Sequence, residues 1–286
     1  MGATKTEARE KLLALLEERA RFVRLEAVRL IAIPKNGHYG STFSAVELLV
    51  ALYYHALRVD PKNPDWPDSD RFVLSKGHAA VGLYPILADL GFFPKEALDN
   101  FSRFGSIFGD HPNMRLMPGI DFSAGSLGHG LSATVGMALA ARVNKRDYRS
   151  LCMLGDGELN EGQVWEAAMA GAHFRLGNLV AIIDRNVLGL DGYTEETMAV
   201  EPIDKKFTDF GWRAVTIDGH DLGQVVNAFD DLPPPTSDQP TVIIAKTIKG
   251  KGVPFMELSR AWHVANLAGA DYDEVVQILS GRPAGG

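Results

Sequence analysis

The chain has 286 residues, 46% of them apolar and 23% charged, a balance typical of soluble folded proteins and opposed to both disorder and a membrane-embedded fold. Its formal charge of −7, from 29 basic and 36 acidic residues, argues against a nucleic-acid partner but leaves room for a small phosphorylated ligand held by backbone donors and a metal. The one cysteine, Cys152, excludes an intramolecular disulfide and fits a reducing compartment. No apolar run approaches the ~18 residues of a membrane helix, and the segment from Met1 to Arg9 mixes Lys, Glu and Arg without the apolar core of a signal. A cytoplasmic protein without a membrane partner is expected.

From Leu12 to Leu30, apolar residues recur at Leu12, Leu16, Ala20, Val23, Ala27 and Leu30, spacings that predict a packing helix ended by Pro34. Residues 37–41 read as a loop. Ser44 and Glu47 read as a capping box that starts a second helix over the apolar run 48–57. The stretch DPKNPDWPDSD at 60–70 holds three prolines and four aspartates and reads as a surface connection. Strands are expected at 72–74, 151–154, 179–183, 214–217 and 242–245, with helical or turn stretches between them and a loop at 231–240. This alternation predicts one α/β domain over 1–286, three-layer α/β/α with a mostly parallel sheet. Residues 1–11 and 273–286 are expected to be peripheral tails.

The most informative stretch is 151–192. A strand ends in Gly155-Asp156-Gly157, a helical stretch carries Val164, Ala168 and Ala172 on one face, and a second strand ends in Asp184-Arg185-Asn186. A right-handed crossover brings Asp156 and Asn186, 30 residues apart and each just past its strand, to the same carboxyl edge of the sheet, where ligands bind in open α/β folds. Two oxygen-bearing side chains, flanking glycines and a helix N-terminus suit Mg2+ with a phosphorylated ligand. Taken alone, Gly-Asp-Gly reads equally well as a turn after a strand; the matched Asn186 favours the metal.

GDGELNEG (155–162) followed by DRNVLGLDG (184–192) resembles the thiamine-diphosphate-binding motif. Four histidine-bearing stretches extend the likeness: KNGHYGSTFSAVELLVALYY, RFVLSKGHAAVGLYPILADLG, GDHPNMRLMPGIDFSAGSLGHGLSATVGMALA and TIKGKGVPFMELSRAWH. In this order, from about Leu12 to His263, they are similar to the N-terminal half of transketolases. Tyr39 stands where that family usually carries proline, Ser126 and His129 replace Pro and Gln, and VANLAG follows His263 in place of a proline-containing continuation.

The resemblance implies thiamine diphosphate with Mg2+, for which Ca2+ or Mn2+ could substitute, the metal held by Asp156, Asn186 and the carbonyl of Leu188. It implies that Gly155 and Gly157 meet the diphosphate, Gly157 through its N–H, and that Gly125 and Leu127 line the aminopyrimidine. Glu161 is expected near the metal or a contact between subunits. His38, His78, His111 and His263 would surround the thiazolium and the sugar hydroxyls, with His78 and His263 also reaching the diphosphate; imidazole, with a free pKa of ~6.5, suits proton exchange there. His55 and His173 fall in helical patterns as packed or surface residues, and His220, in DGHD, receives no catalytic role.

No segment matches the family's second domain, which supplies a glutamate to the aminopyrimidine, and only about 40 residues follow Ala245, too few for another α/β domain. The chain therefore resembles the N-terminal subunit of a split transketolase. The likeness implies a partner subunit carrying the pyrimidine-binding domain, an α2β2 assembly, and transfer of a glycolaldehyde unit from a ketose, in the first instance a sugar phosphate, to an aldose. A 2-oxo acid decarboxylating component and a cofactor-retaining subunit without turnover remain alternatives. A nucleotide-binding fold is disfavoured, because neither G-x-G-x-x-G nor a P-loop pattern is present.

Overall fold

The computed structural model describes residues 5–281. The first helix, α1 (Lys5–Ile31), is longer than the apolar stripe implies and buries Leu16, Ala20, Val23, Ala27 and Leu30. Two short helices follow, α2 (Tyr39–Ser44) and α3 (Val46–Ala51), the latter running on as a π-helical turn over Leu52–Ala56. After the proline-rich connection come β1 (Arg71–Leu74), α4 (Ala80–Leu90) and α5 (Gly130–Val143). The crossover unit is β2 (Ser150–Gly155), α6 (Gly162–His173) and β3 (Leu179–Arg185). The chain closes with α7 (Thr194–Thr197), α8 (Ile203–Asp209), β4 (Arg213–Asp218), α9 (Leu222–Asp230), β5 (Thr241–Lys246) and α10 (Ala270–Ser280).

The five strands lie in the order β1-β2-β3-β5-β4, and every pair is parallel. Successive side chains of a strand point to opposite faces, and the two faces carry separate cores. Leu151, Met153, Val180, Ile182 and Ile243 pack with α1, α3, α4, α9 and α10. Cys152, Leu154, Ala181, Ile183 and Ile244 pack with α5, α6 and α8. The result is the expected three-layer α/β/α arrangement. A sheet covered on both faces also explains why β3 reads as an unbroken apolar run, LVAII, instead of an alternation.

Several local expectations are corrected. Residues 39–41 are the first turn of α2 and not a loop. Ser44 and Glu47 do not form a capping box: Ala45 precedes α3 with no side-chain cap. The Ser44 hydroxyl donates to Asp184 at 2.6 Å, and Glu47 is held by Arg24 at 2.7 and 2.8 Å. Both side chains are buried, so distant partners outbid the local N–H groups. Strands β2 and β3 each run further than expected, so Asp156 and Asn186 stand one residue past their strands. Residues 5–11 are helical, with Arg9 bonded to Gly223 and Asn227. Residues 273–280, expected as a tail, lie in α10, whose Val275 and Leu279 are buried against α1. Residues 1–4 and 282–286 of the two expected tails lie outside the described residues. Among those described, no helix is long and apolar enough to cross a membrane.

Leu279→Ala removes apolar contact from the α1–α10 seam and is expected to lower the unfolding free energy by about 2 kcal/mol or more in urea denaturation. An unchanged midpoint would show that α10 adds nothing to the core.

Candidate functional site

Because all the strands are parallel, the carboxyl ends of β1, β2, β3 and β5 open onto one edge of the sheet. They deliver Lys76, Asp156, Asn186 and Lys249 into a cavity of about 340 Å³, which is also lined by His38, His78, His111, Gly125, Leu127, Gly155, Gly157, Leu188 and His263. Most of the residues singled out from the sequence therefore share one space.

Beneath the cavity floor lies Asp184, which has no solvent exposure. It pairs with the Lys76 ammonium, accepts the hydroxyls of Ser44 and Thr247, and takes an N–H from Asn186 at 3.2 Å. Burial alone would raise its pKa, but Lys76 and the two hydroxyls hold it below the ordinary carboxylate value. Lys76 also donates to the Ser41 carbonyl at 2.9 Å.

Asp156 and Asn186 are likewise buried. One Asp156 oxygen accepts the N–H of Gly157 at 2.8 Å; the other accepts Val187 N–H at 2.6 Å and Arg185 at 2.8 Å. Burial raises the Asp156 carboxyl despite Arg185. The amide of Asn186 spends its N–H groups on Asp184 and Ser44, leaving Oδ1 on the side of the Leu188 N–H, at 3.2 Å. The carbonyls of Leu188 and Gly189 receive the Lys249 ammonium at 2.6 and 3.0 Å. Gly40 makes room for that lysine: a Cβ there would stand 2.9 Å from Lys249 Cγ.

The four expected histidines form a cluster. His38 lies 5.2, 6.0 and 5.5 Å, between ring centres, from His78, His111 and His263, and His78 stacks on His263 at 5.7 Å. His263 reaches this cluster because Gly37 and Ala265 exchange backbone hydrogen bonds at 3.2 and 3.0 Å, which clips the VANLAG segment beside His38. Burial, then the charges of Lys76 and its neighbours, push His78 well below the ordinary imidazole value. Burial and then Lys249 lower His263 to about 4. Burial and then Lys76 lower Lys249 to about 8. Lys249 donates to His263 Nδ1 at 2.7 Å, which leaves the ring proton on Nε2. His38 Nδ1 lies 3.0 Å from the Asp110 carboxylate.

Two expectations shift. Glu161 is exposed, precedes α6 and packs against Gly128; it does not line the cavity. The buried acid is Glu158, which a 3-10 turn over Gly157–Asn160 swings inward to accept from Ser75, Gly128 N–H and Gly155 N–H. The Gly157 N–H, expected for a phosphate, is directed at Asp156, so what Gly157 gives the cavity is space: a Cβ there would meet nothing within 4 Å. Sequence reasoning missed Lys76, Lys249 and Asp184, although each stands at or just past the end of a strand at the ligand edge. His129 sits on an exposed loop with Nδ1 near the Leu127 carbonyl, and His55 pairs with Asp230 away from the cavity.

The donor set fits a diphosphate with a divalent ion. Among the described residues no group of three or more His, Cys, Asp or Glu converges for a metal, so an ion here would depend on one carboxylate, one amide oxygen and a carbonyl, with phosphate and water completing the shell, as Mg2+ accepts. The Leu188 and Gly189 carbonyls already face a cation, Lys249. Gly155 and Gly157 leave the wall open, and the two lysines supply positive charge.

His263 provides a direct check on these electrostatics. Its folded pKa lies below that of a free imidazole, so the unfolded chain takes up this proton first. The stability linked to it is full above pH ~6.5 and is lost as pH falls toward the folded value. Nitrogen-detected titration, assigned with His263→Gln, should give a midpoint of about 4; a midpoint near that of free imidazole would contradict the arrangement.

Residues 16–284 match the family described as transketolase, thiamine diphosphate binding domain. The chain is 42% identical over 259 residues to one of the subunits of the apulose-4-phosphate transketolase of Phocaeicola vulgatus, covering 91% of this chain and 92% of that one. It is 42% identical over 248 residues to the 6-deoxy-6-sulfo-D-fructose transketolase subunit SqwG of a Clostridium species, covering 87% and 90%. The crystal structure of Campylobacter jejuni transketolase superimposes with a TM-score of 0.87 at 30% identity, covering 94% of this chain but 43% of the longer one. With a family match over nearly its whole length and high identity to subunits of its own size, the chain belongs to the transketolase family, as its thiamine diphosphate binding domain.

Proposed function

We propose that this chain is the N-terminal subunit of a two-subunit transketolase that moves a glycolaldehyde unit from a ketose, in the first instance a sugar phosphate, to an aldose. Support comes from relatives named as transketolase subunits, matched over 91% and 87% of this chain, while it spans 43% of the longer Campylobacter jejuni transketolase. The chemistry that thiamine diphosphate supplies when bound is cleavage and formation of a carbon–carbon bond beside a carbonyl. Asp156, Asn186 and the Leu188 carbonyl would hold Mg2+, with Ca2+ or Mn2+ as substitutes. Lys249, His78 and His263 would face the diphosphate, and Gly125 and Leu127 the aminopyrimidine.

His38, His78, His111 and His263 bind sugar hydroxyls and pass protons in this reading. For His78 and His263, lowered pKa values keep the rings neutral near pH 7, so each can donate from one nitrogen and accept at the other. The partner is a second polypeptide with a pyrimidine-binding domain and its glutamate, assembled as α2β2. We assign the pair to cytoplasmic carbohydrate metabolism, in keeping with a lone, buried and free Cys152. The observation that carries the proposal is the meeting of Asp156, Asn186 and the Leu188 carbonyl with two lysines and four histidines in one cavity.

Mixing the chain with such a companion, thiamine diphosphate and Mg2+ should yield two-carbon transfer, and the chain alone should yield none. Asp156→Ala should slow the mixture about 100-fold or more. Full turnover by the chain alone, or release of carbon dioxide from pyruvate, would contradict the assignment.

A further inference from the structure

The motif DGHD at 218–221 lies outside the cavity and has no task in the reading above. Its residues nonetheless run against the segment that carries Lys249. Asp218 ends β4, and the Gly219 N–H donates to the Lys246 carbonyl at 2.8 Å. A Cβ at Gly219 would stand 2.5 Å from Thr247 Cγ2 and 3.1 Å from Ala245 Cβ, so the exits of β4 and β5 approach this closely only over a glycine. The His220 N–H donates to the Asp218 side chain at 2.9 Å, and Asp221 caps α9 by accepting from Gln224 N–H at 3.1 Å.

Both ring nitrogens of His220 are committed. The Ile248 N–H donates to Nε2 at 2.8 Å. A backbone amide can only donate, so Nε2 is unprotonated and Nδ1 carries the proton toward Glu47, 3.0 Å away. Glu47 is fixed in turn by Arg24 through two nitrogens, at 2.7 and 2.8 Å, and Arg24 also donates to the Lys251 carbonyl at 3.1 Å. A chain of hydrogen bonds thus runs from α1 through α3 and His220 to the backbone between two site residues. On one side of Ile248, Thr247 donates to Asp184; on the other, Lys249 reaches the Leu188 and Gly189 carbonyls and His263. The flanking amides are held elsewhere, Thr247 N–H on Arg185 and Gly250 N–H on Gly40.

We propose that His220 is a positioning residue of the site: by accepting the Ile248 N–H it fixes the Thr247–Gly250 segment and sets where Lys249 meets the Leu188 and Gly189 carbonyls and His263. The consequence for ligand affinity rests on the reading of this cavity as the diphosphate site; the consequence for Lys249 does not.

The test compares His220→Phe, which keeps a ring but no nitrogen, with His220→Gln, whose amide offers an acceptor and a donor. In the chain without ligand, the Phe variant should exchange its Ile248 amide about tenfold faster than wild type. It should also shift the His263 Nδ1 resonance, which reports the Lys249 contact, while the β5 amides keep their protection. Its affinity for thiamine diphosphate with Mg2+ should fall about tenfold, and the Gln variant should restore all three readouts. Wild-type exchange at Ile248 and an unmoved His263 resonance in the Phe variant would overturn the proposal. If the Phe variant also loses protection in β5, the Gln variant decides: wild-type values support the role, and fast Ile248 exchange in a folded Gln variant refutes it. Failure of the wild-type chain to bind thiamine diphosphate would overturn the diphosphate reading alone, with the exchange and resonance data still deciding on His220.

Discussion

One carboxylate closed off from water, Asp184, ties together the segments that carry the site. Its ion pair with Lys76 joins the end of β3 to the end of β1, its hydroxyl bonds bring in Ser44 of α2 and Thr247 beyond β5, and its bond to Asn186 orients that amide. An unpaired buried carboxylate costs several kcal/mol. Each of these partners is therefore held as firmly as the charge is buried, and the two that line the cavity, Lys76 and Asn186, arrive there already oriented. Parallel strands supply the location, and this buried ion pair supplies the registration.

The electrostatic character of the cavity follows from how its charges are partnered. Lys76 faces Asp184, and Arg185 is shared among Asp156, Glu195 and Glu201. Lys249 instead meets carbonyl oxygens and an imidazole, so its positive charge is turned toward the cavity. The same charge, with burial, keeps His263 neutral. A rim of imidazoles over a floor of cations and one buried carboxylate suits the proposed anionic cofactor below and polyhydroxy substrates above. Nothing in that division of labour requires a negative overall charge to be reversed, which is how a chain of formal charge −7 can present an anion site.

The parts legible in the sequence were those set by local arithmetic. The spacing of Asp156 and Asn186 across one strand-helix-strand unit located the sheet edge that opens into the cavity, because a parallel crossover leaves little choice about where strand ends go. The histidine loops were legible only through their likeness to a family, since spacing alone does not bring His38, His111 and His263 together. Lys76, Lys249 and Asp184 escaped notice because a lysine or aspartate after a strand ordinarily faces water; their burial is decided by partners more than 60 residues away. The same cause undid the capping box: Ser44 and Glu47 have the right spacing, but Asp184 and Arg24 claim them. Glu161 and Glu158 differ only in which side of a 3-10 turn they occupy, a distinction no periodicity records.

The central claim is that Asp156 and Asn186 grip a divalent ion in contact with a diphosphate at this strand edge. Electron–nuclear double resonance on Mn2+ bound to the chain with thiamine diphosphate tests it most directly. Phosphorus couplings to the metal are expected in the wild-type chain, and Asn186→Leu should abolish them. Thiamine diphosphate bound with no phosphorus coupling to Mn2+, or couplings that survive the loss of Asn186, would contradict it.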